Sequence, residues 1–194
     1  MNFLKIDQNY FDPESRDFEV VERKGLGHPD TLADALAELV SIEYSKYCLN
    51  NFGCVLHHNV DKLYIGAGLF ENSFGVSKMI KPIRVVVNGR MSSNFGDFPI
   101  NLAEIQRKAI LPYLYSVLPN LKEGDVVIES NSTQYTKNKF WYNPRNLSDV
   151  PDATDPKAND TSVVMYHNPM TTCELLAYEL ESYFWDKTDL FLVY

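Results

Sequence analysis

From Pro29 onward the sequence adopts a spacing that fits a long amphipathic helix. Leu32, Leu36, Leu39 with Val40, Tyr44 and Tyr47 recur at intervals of three to four residues, placing them on one stripe. Pro29 suits a first turn, where its missing N–H has no intrahelical partner, and Asn50-Asn51-Phe52-Gly53 supplies a stop. The stretch feeding this helix, Val21-Glu22-Arg23-Lys24-Gly25-Leu26-Gly27-His28-Pro29-Asp30, crowds backbone freedom and charge into the helix start.

The rest of the chain supplies surfaces for such a helix. Phe18 to Val21 reads as a short strand, Cys54 to Ala67 alternates as one strand or two with a kink, and Lys81 to Ser92 reads as its partner across a joining segment, Gly68 to Lys78. Ile100 to Leu118 returns to helical spacing and ends near Pro119-Asn120. Asp125 to Ser130 reads as a strand, Thr171 to Trp185 as a last helix, and Leu190 to Tyr194 as a strand that stops abruptly. A final strand without a following turn points to further chain or to an edge that pairs with a partner. Between them Asn131 to Asn159 is polar, carries Pro144, Pro151 and Pro156, and has no period, as in a lid, a binding loop or a linker. The order β-α-β-β-α-β-loop-α-β predicts an α+β fold, with helices packed on mixed β-sheets.

Composition narrows the function classes. The 18 basic and 26 acidic side chains leave a net charge of -8, with no basic run to track a phosphate backbone, so nucleic acid is excluded as a general partner. ATP is not, because helix-start amides, local cations or a bound metal outweigh the global field at short range. Cys48, Cys54 and Cys173 are odd in number and form no C-x-x-C pair, which predicts reduced thiols in a cytoplasmic compartment. No signal-like apolar stretch opens the chain, and nowhere do about eighteen apolar residues run together, so no membrane association is expected.

Lys24-Gly25-Leu26-Gly27-His28 leads into a helix start whose first amides lack partners and whose dipole is positive, an arrangement that holds phosphate. Asp30, Asp34 and Glu38 stand four apart on one helical stripe. Beside phosphate they would repel it unless a hard cation lay between, and Mg²⁺ takes one or two carboxylates plus phosphate oxygens. The same residues also read as solvated caps, each stabilising the helix dipole by roughly 0.3–1 kcal/mol. In His57-His58-Asn59-Val60-Asp61, neighbouring side chains on a strand face opposite ways, so the two histidines do not share a metal. One reads as a core histidine, while Asp61 shares a face with Asn59 and can join a cation site. Asn159-Asp160-Thr161-Ser162 reads as a hydrogen-bonded turn or as the place where Asp160 receives a substrate ammonium.

These clusters in this order resemble one family. Glu22-Arg-Lys-Gly-Leu-Gly-His-Pro-Asp30, Phe52-Gly-Cys-Val-Leu-His-His-Asn-Val-Asp61, Lys81-Pro-Ile, Asn88-Gly-Arg90 and Ala158-Asn-Asp-Thr-Ser162 are similar to blocks of the archaeal-type S-adenosylmethionine synthetases, or methionine adenosyltransferases. The likeness runs from about residue 18 to 185 and is densest up to Arg90. It implies the N-terminal half of such a fold over residues 1–194, with a gating loop at 131–158.

The implied reaction joins the methionine sulfur to C5′ of ATP, expels triphosphate, and hydrolyses it to pyrophosphate and phosphate with Mg²⁺ and K⁺. Carried over by resemblance, His28 and Lys24 are catalytic, Asp30 and Asp34 hold metal, and Glu22, Gly27, Asp61 and Asp160 bind substrate. A homodimer, or a partner chain supplying a C-terminal half, is implied as well, since family members are about twice this length. Val163-Val-Met-Tyr-His-Asn-Pro169 and Glu129-Ser-Asn-Ser-Thr-Gln134 depart from the family's pattern. The same residues leave open a catalytically degenerate homologue that binds ATP with Mg²⁺ as a regulatory or scaffold module, and a different nucleotide-dependent transferase.

Overall fold

The protein is described by a computed structural model covering residues 12–133, 140–150 and 168–187. The chain divides into two compact units, one drawn from Met1–Gly25 and Ser162–Val193 and the other from Leu26–Thr161.

The larger unit is organised by α1, Pro29–Phe52. His28 caps its start, and Gly53 closes its end in the left-handed region at φ 73°, where a side chain is strained, with its N–H on the Leu49 carbonyl. The buried face is Leu32, Leu36, Val40, Tyr44 and Cys48. A strict spacing of four advances this stripe by about 40° at each step, so it winds along the helix and brings in Cys48 where the sequence suggested Tyr47.

The helix packs on α2, Leu102–Val117, and on β1, His58–Gly66. Asn101 caps α2 by accepting the Glu104 N–H at 3.2 Å.

β1, β4 (Ile83–Met91) and β7 (Val126–Thr133) form a mixed sheet in the order β1-β4-β7. β1 runs antiparallel to β4, and β7 runs parallel to it, so the chain must cross over between β4 and β7; α2 makes that crossing. Val85, Val87 and Met91 alternate into the core, whereas Arg84 and Arg90 are exposed. Gln106 of α2, wholly buried, donates to Ser132 Oγ at 3.0 Å and ties the helix to β7. The α+β reading holds.

Four details differ from the sequence reading. Phe18 to Val21 is extended coil without a strand partner among the described residues; Phe18 and Val20 are 78% and 85% exposed, so no burial rewards pairing. The expected joining segment is itself a hairpin, β2 (Leu69–Ser73) and β3 (Val76–Lys81), turning at Phe74-Gly75 with Gly75 at φ 72°. A further small hairpin, β5 (Asn94–Phe95) and β6 (Phe98–Pro99), lays its phenylalanines on Phe52 at 4.9 and 5.5 Å between ring centres. Of the polar segment, residues 131–133 finish β7, and residues 140–150 pack inward through Tyr142 and Val150. The terminal run Leu190 to Tyr194 lies outside the described residues.

In the smaller unit α3, Thr172–Asp186, starts in a capping box between Thr171 and Glu174. Glu14 accepts from the Thr172 N–H and hydroxyl, and these bonds hold its carboxyl below the usual range. Leu175, Leu176, Leu180 and Phe184 remain about half exposed.

The two layers of the larger unit meet at Tyr44, whose hydroxyl donates to the Ser92 carbonyl at 2.8 Å in a fully buried position. Tyr44→Phe removes that donor and leaves a buried carbonyl short of a partner. Urea titration should read a loss of about 1–3 kcal/mol; an unchanged midpoint would mean that the bond does not hold the layers together.

Candidate functional site

The start of α1 is built by His28, which sits in extended backbone at φ -65° and ψ 137°. Its Nδ1 accepts the Asp30 N–H at 3.1 Å, so the cap is the imidazole and not Asp30. That bond leaves Nε2 as the ring's donor toward solvent when the imidazole is neutral. Pro29 occupies the first turn, and the Asp30 carboxylate lies 4.0 Å from the His28 ring. At Gly27 an added Cβ would meet only Leu118, at 3.9 Å, so the approach to the helix start is open there within its unit.

One turn further along, the helix wall becomes part of a cavity of about 540 Å³ between α1 and β1. Asp34, Glu38 and Ser41 line it from the helix, and His58, Asn59, Asp61 and Lys62 from the strand. The structure therefore brings Asp34 and Asp61 to one concavity. His28, Asp30 and Gly27 do not line it. Lys62 Nζ lies 3.1 Å from Asp61 Oδ1, a half-exposed pair whose attraction is screened by solvent. A smaller cavity of about 280 Å³ along α2, bordered by Arg107 and Glu123, has no facing carboxylate pair.

The inner end of the large cavity is closed by His58. Its Nδ1 lies 3.0 Å from the Leu56 carbonyl, which can only accept, so Nδ1 carries the proton; Nε2 then accepts from Ser41 Oγ at 2.8 Å. The ring rests on Tyr44 with centres 4.9 Å apart. Burial pushes the imidazole below its ordinary value, offset in part by the Leu56 bond. His58 is the core histidine of the pair, and His57 lies against Trp141 and Tyr142 at 5.0 and 6.1 Å between ring centres.

The donors facing the cavity are carboxylate, amide and hydroxyl oxygens, the set that suits a hard divalent cation. Among the described residues no three His, Cys, Asp or Glu side chains stand close enough to hold a metal by themselves. That spacing fits Mg²⁺ bound through one or two carboxylates and completed by phosphate oxygens and water.

Glu22 and Lys24 fall in the smaller unit, where both are exposed. Between them Arg23 lies over the Tyr178 ring at 4.6 Å and reaches Glu181 at 3.4 Å. Asp160 lies outside the described residues. Sequence reasoning missed Ser41 and Lys62; Ser41 stands three residues beyond Glu38 on the acidic stripe, which is the signal that could have placed it. Among the described residues no helix is long and apolar enough to cross a membrane.

A profile of the S-adenosylmethionine synthetase (AdoMet synthetase) family matches residues 4–189. An uncharacterized protein of Streptococcus pyogenes serotype M3 is 44% identical over 96% of this chain and 48% of its own length. S-adenosylmethionine synthases of Methanoregula boonei and Caldivirga maquilingensis are 36% and 37% identical, over 88% and 84% of this chain and 42% and 40% of theirs. The chain spans about half the length of these relatives or less.

The buried neutral His58 makes stability depend on pH in a definite direction. The unfolded chain takes up a proton near pH 6.5 while the folded ring resists it, so stability is fully present above that pH and declines as pH falls toward the folded value. Unfolding titrations should show a steeper loss from pH 7.5 to about 5.5 for the wild type than for His58→Gln. Parallel profiles would contradict the assignment.

Proposed function

The chain belongs to the archaeal-type S-adenosylmethionine synthetase family, and from that premise we propose that it takes part in S-adenosylmethionine synthesis from ATP and L-methionine. It does so as the N-terminal half of the fold, either within a longer product or as one half of a split enzyme, in the cytoplasm. The active assembly is a homodimer or a complex with a chain supplying the other half. The reading is supported above all by one observation: Asp34 and Asp61 face one cavity beside the helix whose start carries His28 and Asp30.

Displacement at a saturated carbon needs little covalent help, so the protein contributes alignment and charge stabilisation. Methionine sulfur attacks C5′ of ATP, and the bond to the triphosphate oxygen breaks. His28 Nε2 and the positive end of the α1 dipole stabilise the charge that develops on the departing triphosphate. Lys24 acts as a catalytic cation and Glu22 as a substrate-binding carboxylate, and Gly27 lets phosphate near the backbone. Asp30 and Asp34 would hold Mg²⁺, which when bound neutralises phosphate charge, with K⁺ as helper. Asp61 orients the nucleotide from β1, and Asp160 receives the methionine ammonium. Residues 131–158 exclude water during triphosphate hydrolysis.

A second reading, binding of Mg·ATP without alkyl transfer, is favoured by the departure of Glu129-Ser-Asn-Ser-Thr-Gln134 from the family's pattern. Mass spectrometry of the chain with ATP, Mg²⁺, K⁺ and methionine separates the two. S-adenosylmethionine formed by the chain alone or with cell extract supports synthesis, and nucleotide binding without product under either condition contradicts it.

Asp30→Asn should weaken Mg²⁺-dependent ATP binding by roughly tenfold, the equivalent of about 1.4 kcal/mol, and leave metal-free binding unchanged. Calorimetry showing the same Mg²⁺ dependence in both proteins would remove Asp30 from the metal.

A further inference from the structure

The ladder between β1 and β4 has one irregularity, and it lies in the cavity wall. Asn59 pairs with Arg90 and Lys62 with Asn88, so Val60 and Asp61 together oppose the single residue Gly89. An extra residue of this kind is a β-bulge, which bends the strand and re-aims side chains. Gly89 stands at φ 149°, where an L side chain is strained. A Cβ added there would meet the Asn59 carbonyl oxygen at 2.0 Å and the Asp61 nitrogen at 3.0 Å, both backbone atoms that cannot swing aside. The bulge therefore requires glycine at 89, for conformation and for space. Asn59, Val60, Asp61 and Lys62, the bulge and its flanks, all border the cavity.

We propose that Gly89 is a positioning residue: by admitting the bulge it sets where the Asp61 carboxylate stands on the cavity wall, and so controls how well the site accepts a nucleotide with its divalent cation. This rests on the reading of the cavity given under Proposed function. A regular ladder would place one residue opposite Gly89 and draw Asp61 back into the pleat. With the bulge, the strand gains a residue of length between two fixed pairs, and Lys62 holds the displaced carboxylate at 3.1 Å from its ammonium.

The test is calorimetric titration of the 194-residue chain with ATP in the presence of Mg²⁺, with folding followed by circular dichroism. Gly89→Ala should weaken binding by roughly 10- to 100-fold, the usual consequence of losing a group that orients a ligand. Asp61→Asn should weaken it too. The double variant should then bind no more weakly than Asp61→Asn alone, because Gly89 acts through Asp61; additive losses would show a general structural role and overturn the proposal.

If Gly89→Ala does not fold, deletion of Val60 takes its place. It removes the extra residue, leaves a regular ladder with Gly89 intact, and should fold while losing affinity by a similar factor. A folded variant of either kind with unchanged affinity, while Asp61→Asn is weakened, overturns the positioning role and leaves the cavity reading standing. A Val60 deletion that fails to fold also overturns it, since the bulge would then serve folding. No effect of Asp61→Asn, or no binding by the unmodified chain, overturns both.

Discussion

The closeness of α1 to β1 is what the rest of this molecule depends on. It is held by a small buried polar junction: Ser41 donates to His58, His58 donates to the Leu56 carbonyl, and Tyr44 lies tilted against that ring while its hydroxyl reaches Ser92. Apolar stripes such as Leu32, Leu36 and Val40 drive the helix onto the sheet but tolerate sliding. Buried polar groups do not, because each must keep its partner. The junction thus fixes the helix in one register along the edge strand, and the space left beyond it is the cavity.

That space is lined by acids from both elements, in a chain of net charge -8. Such a wall repels a bare phosphate, and the positive end of α1 attracts one. On the proposed reading the two are reconciled by a hard cation that brings phosphate to the carboxylates. The exposure of Asp34, Glu38 and Asp61 suits this role, since each must exchange water for ligand oxygens at low cost.

Much of this was legible in the residues. The limits of α1 follow from Pro29, Gly53 and a helical period, and the sheet strands from alternation. The acidic stripe was visible because helical spacing is arithmetic. What was hidden depends on partners distant in sequence. Phe18 to Val21 has strand-forming residues but no described ladder to join. The β2–β3 hairpin is exposed along nearly its whole length, so burial imposes no alternation to read. The bulge is a matter of backbone register, and nothing in His58 to Asp61 marks it until Gly89 is placed opposite. His28 serves as cap because an imidazole can replace the usual carboxylate or hydroxyl, an uncommon choice that Asp30 masked.

The central claim is that the start of α1 and the β1 bulge form one Mg·ATP site, and paramagnetic broadening tests it most directly. With Mn²⁺ replacing Mg²⁺ in the presence of ATP, amide signals of Asp30, Asp34 and Asp61 should broaden together, at substoichiometric metal, and recover on addition of Mg²⁺. Broadening confined to other surfaces, such as the Arg107–Glu123 cavity, or spread evenly over the chain, would contradict the account.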